Sequence, residues 1–168
     1  EAAPAAVAAP APVAVPAAAA GPVEDKAIPV SDALKALLAL QAKVSPSQIA
    51  DGETIDELFE GVSSRRNQVL LDIGAEFNLG TIDGAHEQPI AQLVGEIQKR
   101  SGTYKAPGKY LKAAQDEALK RVLGRAGMNR KDVSTYLSQS FGLGEGLTEG
   151  ALLTLTLETR EGDSSRGG

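Results

Sequence analysis

The sequence predicts an all-α protein, two small helical bundles carried behind a flexible linker. Three observations carry that expectation. Apolar residues recur at helical spacing through most of residues 31–160, the signature of helices with one buried face. Glycine, proline and aspartate punctuate those stretches where turns are needed. Residues 1–22, EAAPAAVAAPAPVAVPAAAAGP, are almost entirely alanine, proline and valine. Their prolines deny that segment a continuous helix, and without large side chains it builds no core. It reads as a tether, reaching up to roughly 70 Å at about 3.1 Å per residue if fully polyproline-like.

The elements follow in chain order. SDALKALLALQAKV places Ala33, Leu34, Leu37, Leu38 and Val44 on one broad stripe, with Ser31 as the expected N-cap. SPSQIADGET is a loop, marked by Pro46 and the Asp51-Gly52 pair. Thr54 and Glu57 have capping-box spacing, so residues 54–60 form a short helix that Gly61 ends. Val69, Leu70, Ile73 and Phe77 mark a helix starting near Ser63. After the loop NLGTIDGAHEQ, Ile90, Leu93, Val94 and Ile97 mark another, ending near Ser101-Gly102.

A second helical set begins at Pro107, expected at a helix start. Tyr110, Leu111, Ala114, Ala118, Leu119, Val122 and Leu123 give it a long apolar face, and Gly124 and Gly127 stop it. Val133, Tyr136, Leu137 and Phe141 define a further short helix. The last segment alternates leucine with threonine from Leu153 to Leu157, which by period alone reads as a strand. A lone strand would leave its backbone groups unpaired, so helix is the expectation. REGDSSRGG is a polar, loose tail.

Composition excludes several kinds of function. A net charge of −5 with both signs interspersed provides no basic face for nucleic acid. Aromatics at 4 % are too few for a base-stacking platform. With no cysteine and a single His86, neither a thiol nucleophile nor a Cys/His metal cluster is expected. No apolar run is long enough to span a membrane, and the alanine-rich start lacks the basic region of a signal peptide. The chain reads as soluble and cytoplasmic. Its glutamate start reads as that of a piece processed or excised from a longer polypeptide.

Enzyme chemistry finds no footing. Ser63 and Asp72 lie nine residues apart on one helix, about two and a half turns, so Ser63, His86 and Asp72 make no triad. His86 reads as a solvated loop residue. Asp56 with Glu57, and Glu145 with Glu149, read as helix-end and surface charges. GLGEG lacks the lysine and strand of a phosphate loop.

Ser63 carries two readings. A serine at a helix start is ordinarily an N-cap, its oxygen accepting from an orphan N–H. The same place suits a phosphodiester, because the free N–H groups and the helix dipole favour an anion by about 0.3–1 kcal/mol. Arg65 and Arg66 add positive charge within a turn, and Gly61 before the serine leaves the backbone open to a modifying enzyme.

GVSSRRNQVLLDIGAEF, residues 61–77, resembles the modification segment of acyl carrier domains in type I fatty acid synthases of the fungal and actinobacterial kind. The matching positions are Gly61, Ser63, Asn67, Leu70, Asp72, Ile73, Gly74, Glu76 and Phe77. TIDELFEG before the site and DVSTYLSQSFGLGEGLTEGALLTLTLETREG at the end resemble the same family, as does the Ala/Pro linker. Stand-alone bacterial carriers instead place Asp-Ser-Leu at the site beside an acidic helix, so their acidic docking mode is not expected here.

The resemblance implies an acyl-carrier-like four-helix bundle over residues 23–102 and an accessory structural bundle over 103–160, between linker 1–22 and tail 161–168. It implies that Ser63, rather than Ser64, is esterified with 4′-phosphopantetheine from coenzyme A. Gly61, Val62, Ser64, Arg65 and Arg66 become neighbours of that arm, whose thiol would hold growing acyl chains as thioesters. The domain itself would catalyse nothing. Implied partners are the ketosynthase, acyl/malonyl transferase, ketoreductase, dehydratase and enoyl reductase domains of a parent synthase, and a phosphopantetheinyl transferase. Neither nucleic acid nor membrane is an expected partner. Lys105, Lys109, Lys112, Lys120, Arg121 and Arg125 give the long helix a basic character, read as a solvated face or as a docking surface. The rivals are a plain helical interaction module, with Ser63 an ordinary cap, and a polyketide synthase carrier.

Overall fold

The structure, a computed structural model, describes residues 23–160, so the linker expected at 1–22 and the tail expected at 161–168 lie outside it. The described residues are all-helical: α1 (Val30–Ala42), a 3₁₀ turn (Pro46–Gln48), α2 (Ile55–Leu58), α3 (Ser63–Phe77), α4 (Ile90–Ser101), α5 (Lys109–Leu123), a 3₁₀ turn (Gly124–Ala126), α6 (Arg130–Phe141) and α7 (Glu145–Glu158). None is long and apolar enough to cross a membrane.

α1 is the central helix because its sequence leaves it almost no polar face. Ala33, Leu34, Ala36, Leu37, Leu38 and Ala39 are all buried, and a helix that is apolar nearly all round must be covered on several sides. It packs against α3, α4, α5 and α7. The apolar stripes expected on α3, α4 and α5 face this core through Val69, Ile73, Ile90, Leu93, Ile97 and Leu111. Ser31 does not cap α1. The helix starts one residue earlier, with Pro29 in the cap position, and Ser31 donates only to the neighbouring Asp32 carboxylate at 3.2 Å.

The Leu/Thr segment is helical, as expected. Thr154, Thr156 and Thr159 turn their hydroxyls back onto the carbonyls of Gly150, Leu152 and Leu155, four residues earlier. Each hydroxyl is thereby satisfied within α7, and Leu152, Leu153 and Thr156 are buried. On α6, the stripe divides. Val133 and Leu137 are half-buried, whereas Tyr136 and Phe141 stand exposed, edge to face at 5.9 Å.

Three polar joints hold the helices together. Glu76 near the end of α3 is buried and accepts from Tyr104 Oη at 2.5 Å, Gly108 N at 2.6 Å and Leu111 N at 2.7 Å. A carboxylate therefore sits on the orphan N–H groups that open α5, where the helix dipole also favours it. Pro107 precedes the Gly108 N-cap instead of opening the helix, because Gly108 and Glu76 form that joint. Arg130 joins α6 to α5 and α7 by donating to Gln115 Oε1 at 2.9 and 2.5 Å and to Glu149 Oε2 at 3.2 Å. Glu149 is thus half-buried and paired rather than a surface charge, and burial raises its pKa.

The third joint ties the ends of the described chain to opposite ends of the α1/α7 pair. Asp25 accepts from Gly146 N at 3.1 Å and Leu147 N at 3.0 Å, capping α7 from outside its own sequence. Arg160 donates to Ala39 O at 3.2 Å and Val44 O at 2.5 Å, at the C-terminal end of α1. Each charge meets the dipole end of opposite sign. The backbone bonds hold the Asp25 carboxyl below its ordinary 3.8. A carboxylate with a lowered pKa stabilises the fold above its unfolded value, and this contribution is lost as pH falls through the folded one. Asp25→Asn should therefore be less stable than the wild type at neutral pH, with the gap closing below pH 3.8. Urea unfolding across that range checks it.

Candidate functional site

The corner between α2 and α3 is built from a helix too short to stand alone. α2 has four residues, and the expected capping box holds it: Thr54 Oγ1 accepts from Glu57 N at 3.2 Å, and the Glu57 carboxylate accepts from Thr54 N at 2.8 Å. Buried Ile55 and Phe59 pin it to the core. The chain then turns through Glu60 and Gly61, both left-handed at φ 53° and 68°. Gly61 takes that conformation freely and Glu60 does not. Gly61 N donates to Asp56 O at 2.8 Å and Val62 N to Phe59 O at 3.0 Å, closing the corner.

α3 starts immediately after, and here the rival reading of Ser63 as an ordinary N-cap does not hold. Val62 is the cap residue, in extended conformation, and Ser63 is the first helical residue. No side-chain cap bond forms at this end of α3. The Ser63 hydroxyl is thus an exposed group with no capping duty, set on free backbone N–H groups. Gly61, Val62, Ser64 and Arg65 around it are exposed too, and Val62 shows 43 % of its surface.

The two arginines have different surroundings. Arg65 makes no ion pair among the described residues, while Arg66 Nη1 lies 3.1 Å from Asp56 Oδ1, both side chains about one-third exposed or less. Asp56 is therefore a tie between helices and not a surface charge. His86 is also less solvated than expected. Its side chain is 26 % exposed, and its carbonyl accepts from Asp56 N at 3.1 Å. Asp56, His86 and Glu87 bring ligand atoms within 4.8 Å of one another. The Arg66 guanidinium already neutralises Asp56, so that trio offers a cation little net charge.

Below Ser63 an open groove of about 590 Å³ runs along α3, lined by Asn67, Leu70, Leu71, Ile73, Leu79, Ile82 and Ala85 among others. Asn67 is one helical turn from Ser63, so serine and groove share one face. Leu71 on α3 exposes 69 % of its surface.

The family model for the acyl carrier domain of fatty acid synthase subunit alpha matches residues 24–162. The chain belongs to that family. Its carrier domain is 32 % identical to a fatty acid synthase subunit alpha of Penicillium patulum over 139 residues, 81 % of this chain and 7 % of that protein. It is 31 % identical to the subunit alpha of Candida parapsilosis over 141 residues, 80 % of this chain and 7 % of that one. A fatty acid synthase of Gibberella fujikuroi is 30 % identical over 123 residues, 72 % and 7 % respectively. The chain thus spans about 7 % of the length of the relatives it matches.

Within the carrier domain, the pattern residues after Ser63 serve packing. Asp72 accepts from Gln68 at 3.1 Å and from Gln41 of α1. Gly74 lies where a Cβ would come within 3.0 Å of Leu79 O. Glu76 forms the α5 joint. Sequence reasoning missed Asp56 and the groove's far wall, Leu79 to Ala85, because their contacts lie outside any local period. Of the basic residues expected on the long helix, Lys105 lies in the loop before α5 and Arg125 in the 3₁₀ turn after it; both are exposed, as are Lys109, Lys112 and Lys120 on the helix itself. Arg121 is turned inward and donates to Thr159 O at 2.9 Å.

Proposed function

We propose that this carrier domain is esterified at Ser63 with 4′-phosphopantetheine and delivers acyl thioesters between the active sites of a fatty acid synthase. The observation carrying this reading is the Ser63 hydroxyl, exposed at the first position of α3 and free of capping. The residues present fit the group. Phosphate at that hydroxyl would meet the orphan N–H groups of the first turn and the positive end of the dipole, with Arg65 nearby. Ser63 Oγ would attack the phosphorus of the coenzyme A pyrophosphate that bears the pantetheine. One O–P bond forms, the pyrophosphate bond breaks, adenosine 3′,5′-bisphosphate leaves and the serine proton passes to a base on the transferase. When bound, the arm supplies the thiol that a cysteine-free chain lacks.

The chain's own residues supply the rest. The apolar groove one turn below Ser63 gives an acyl chain a place out of water, at about 0.8 kcal/mol per buried methylene. Exposed Val62 and Leu71 offer apolar contact to the transferase and to the synthase domains that would receive the chain, namely ketosynthase, acyl/malonyl transferase, ketoreductase, dehydratase and enoyl reductase. Residues 1–22 act in this reading as the tether that raises the effective concentration of the bound intermediate at each site. Residues 103–160 act as a structural bundle that braces the carrier bundle of 23–102.

Intact mass after incubation with coenzyme A and a phosphopantetheinyl transferase tests the reading. The wild type and Ser64→Ala should gain one phosphopantetheine, and Ser63→Ala none. Loss confined to Ser64→Ala would move the site. No gain by folded wild type would leave a helical interaction module.

A further inference from the structure

We propose that the Asp56–Arg66 ion pair is the strut that holds Ser63 in place for modification, making Arg66 a positioning residue and not a docking cation. This inference rests on the reading of Ser63 given above. Ser63 has no hold of its own, since its hydroxyl makes no cap bond and its backbone opens the helix. Its position is inherited from the corner, where the chain turns through left-handed Glu60 and Gly61 immediately before α3. Asp56 gathers that corner from three sides. Its N–H donates to His86 O at 3.1 Å, its carbonyl accepts from Gly61 N at 2.8 Å, and its carboxylate meets Arg66 at 3.1 Å.

Arg66 lies three residues after Ser63, one turn along α3, and its own N–H donates to Val62 O at 3.0 Å. The guanidinium thus locks the first turn of α3 to the first turn of α2, across the bend that precedes the serine. Both side chains are partly shielded, 26 % and 31 % exposed, which strengthens the pair relative to one in open water. It also leaves Arg66 little freedom to reach an incoming phosphate or an acidic partner. Arg65, exposed and outside any ion pair among the described residues, is the arginine open to such contacts.

Steady-state loading of phosphopantetheine by a transferase, with the carrier as varied substrate and melting followed in parallel, tests the strut. Arg66→Ala should lower kcat on the order of tenfold with KM little changed, since a 1 Å misplacement of a reacting group costs up to about 100-fold. Asp56→Asn, nearly isosteric, should behave alike, and Arg66→Lys should recover most of the rate. Arg100→Ala, which breaks the distant exposed pair with Glu96, should load like the wild type. A rise in KM at constant kcat would make Arg66 a docking cation and overturn the proposal. So would unchanged kinetics in both variants, or a loss shared by Arg100→Ala. Failure of the wild type itself to load would instead remove the underlying reading of Ser63, and the strut with it.

Discussion

Replacing Glu76 by alanine is expected to cost about 3–4 kcal/mol of folding stability, with a fall in Tm of about 10 °C. The carboxylate accepts three hydrogen bonds in a buried place, two from backbone N–H groups at the start of α5 and one from the Tyr104 hydroxyl. Hydrogen bonds to a charged acceptor are each worth about 1.5–3 kcal/mol, and removing the acceptor strands its donors. Water can reach part of the joint, which brings the total below the sum of three. Burial and the Glu76 charge both push the Tyr104 pKa up, so its hydroxyl stays protonated and donating. Glu76→Gln keeps the volume but turns an acceptor into a donor facing other donors, and should cost roughly half as much. Tyr104→Phe, losing one charge-assisted bond of three, should cost about 1.5 kcal/mol. Urea unfolding followed by circular dichroism ranks the three.

Gly108→Ala is expected to destabilise by about 3 kcal/mol, the upper range for forcing atoms into a packed interior. Nothing in the backbone angles demands glycine there, since φ is −80° and ψ −161°. The demand is for space. A Cβ would stand 1.9 Å from the Glu76 carbonyl oxygen and 2.9 Å from its carboxyl carbon, so α3 and α5 would have to part. Gly124→Ala at the far end of α5 provides the contrast. That glycine is right-handed, its nearest neighbour is Lys120 Cγ at 3.8 Å, and alanine should stabilise by about 0.4–1 kcal/mol. Because Gly108 and Glu76 share one joint, combining Gly108→Ala with Glu76→Ala should cost clearly less than the two separately. Additivity would show that the joint is two independent contacts.

Much of the fold was legible in local pattern. α3 and α4 begin and end within a residue or two of where their apolar periods and flanking turns placed them. The capping box of Thr54 and Glu57 needed only the spacing of two residues, and it formed. Caps decided by backbone angle did not follow. Ser31 and Ser63 both fall just inside their helices, behind Pro29 and Val62. An extended residue at the preceding position is enough to open a helix, and tertiary contacts fix which residue that is. At Ser63 the difference bears on function, because a capping oxygen would already be engaged.

Side chains whose partners lie far along the chain were the ones misread. Asp56 meets Arg66 ten residues on, and Glu149 meets Arg130 across two helices. Tyr136 and Phe141 continue a helical stripe that no described element covers. A period says which residues share a face, and is silent on whether anything packs against it.

The sequence by itself determined the helical class, the apolar stripe of the alanine- and leucine-rich α1 and the segment that opens at Ser63. Those follow from short-range period and composition, which act within a few turns. Only the tertiary structure decided that the Leu/Thr run is a buried helix, that Glu76 opens α5, that Asp25 and Arg160 clasp α1 and α7, and that Arg66 is already paired. For Glu76, Asp25, Arg160 and Arg66 a polar group finds its partner beyond its own helix, and burial requires that such groups be satisfied wherever the chain happens to bring one.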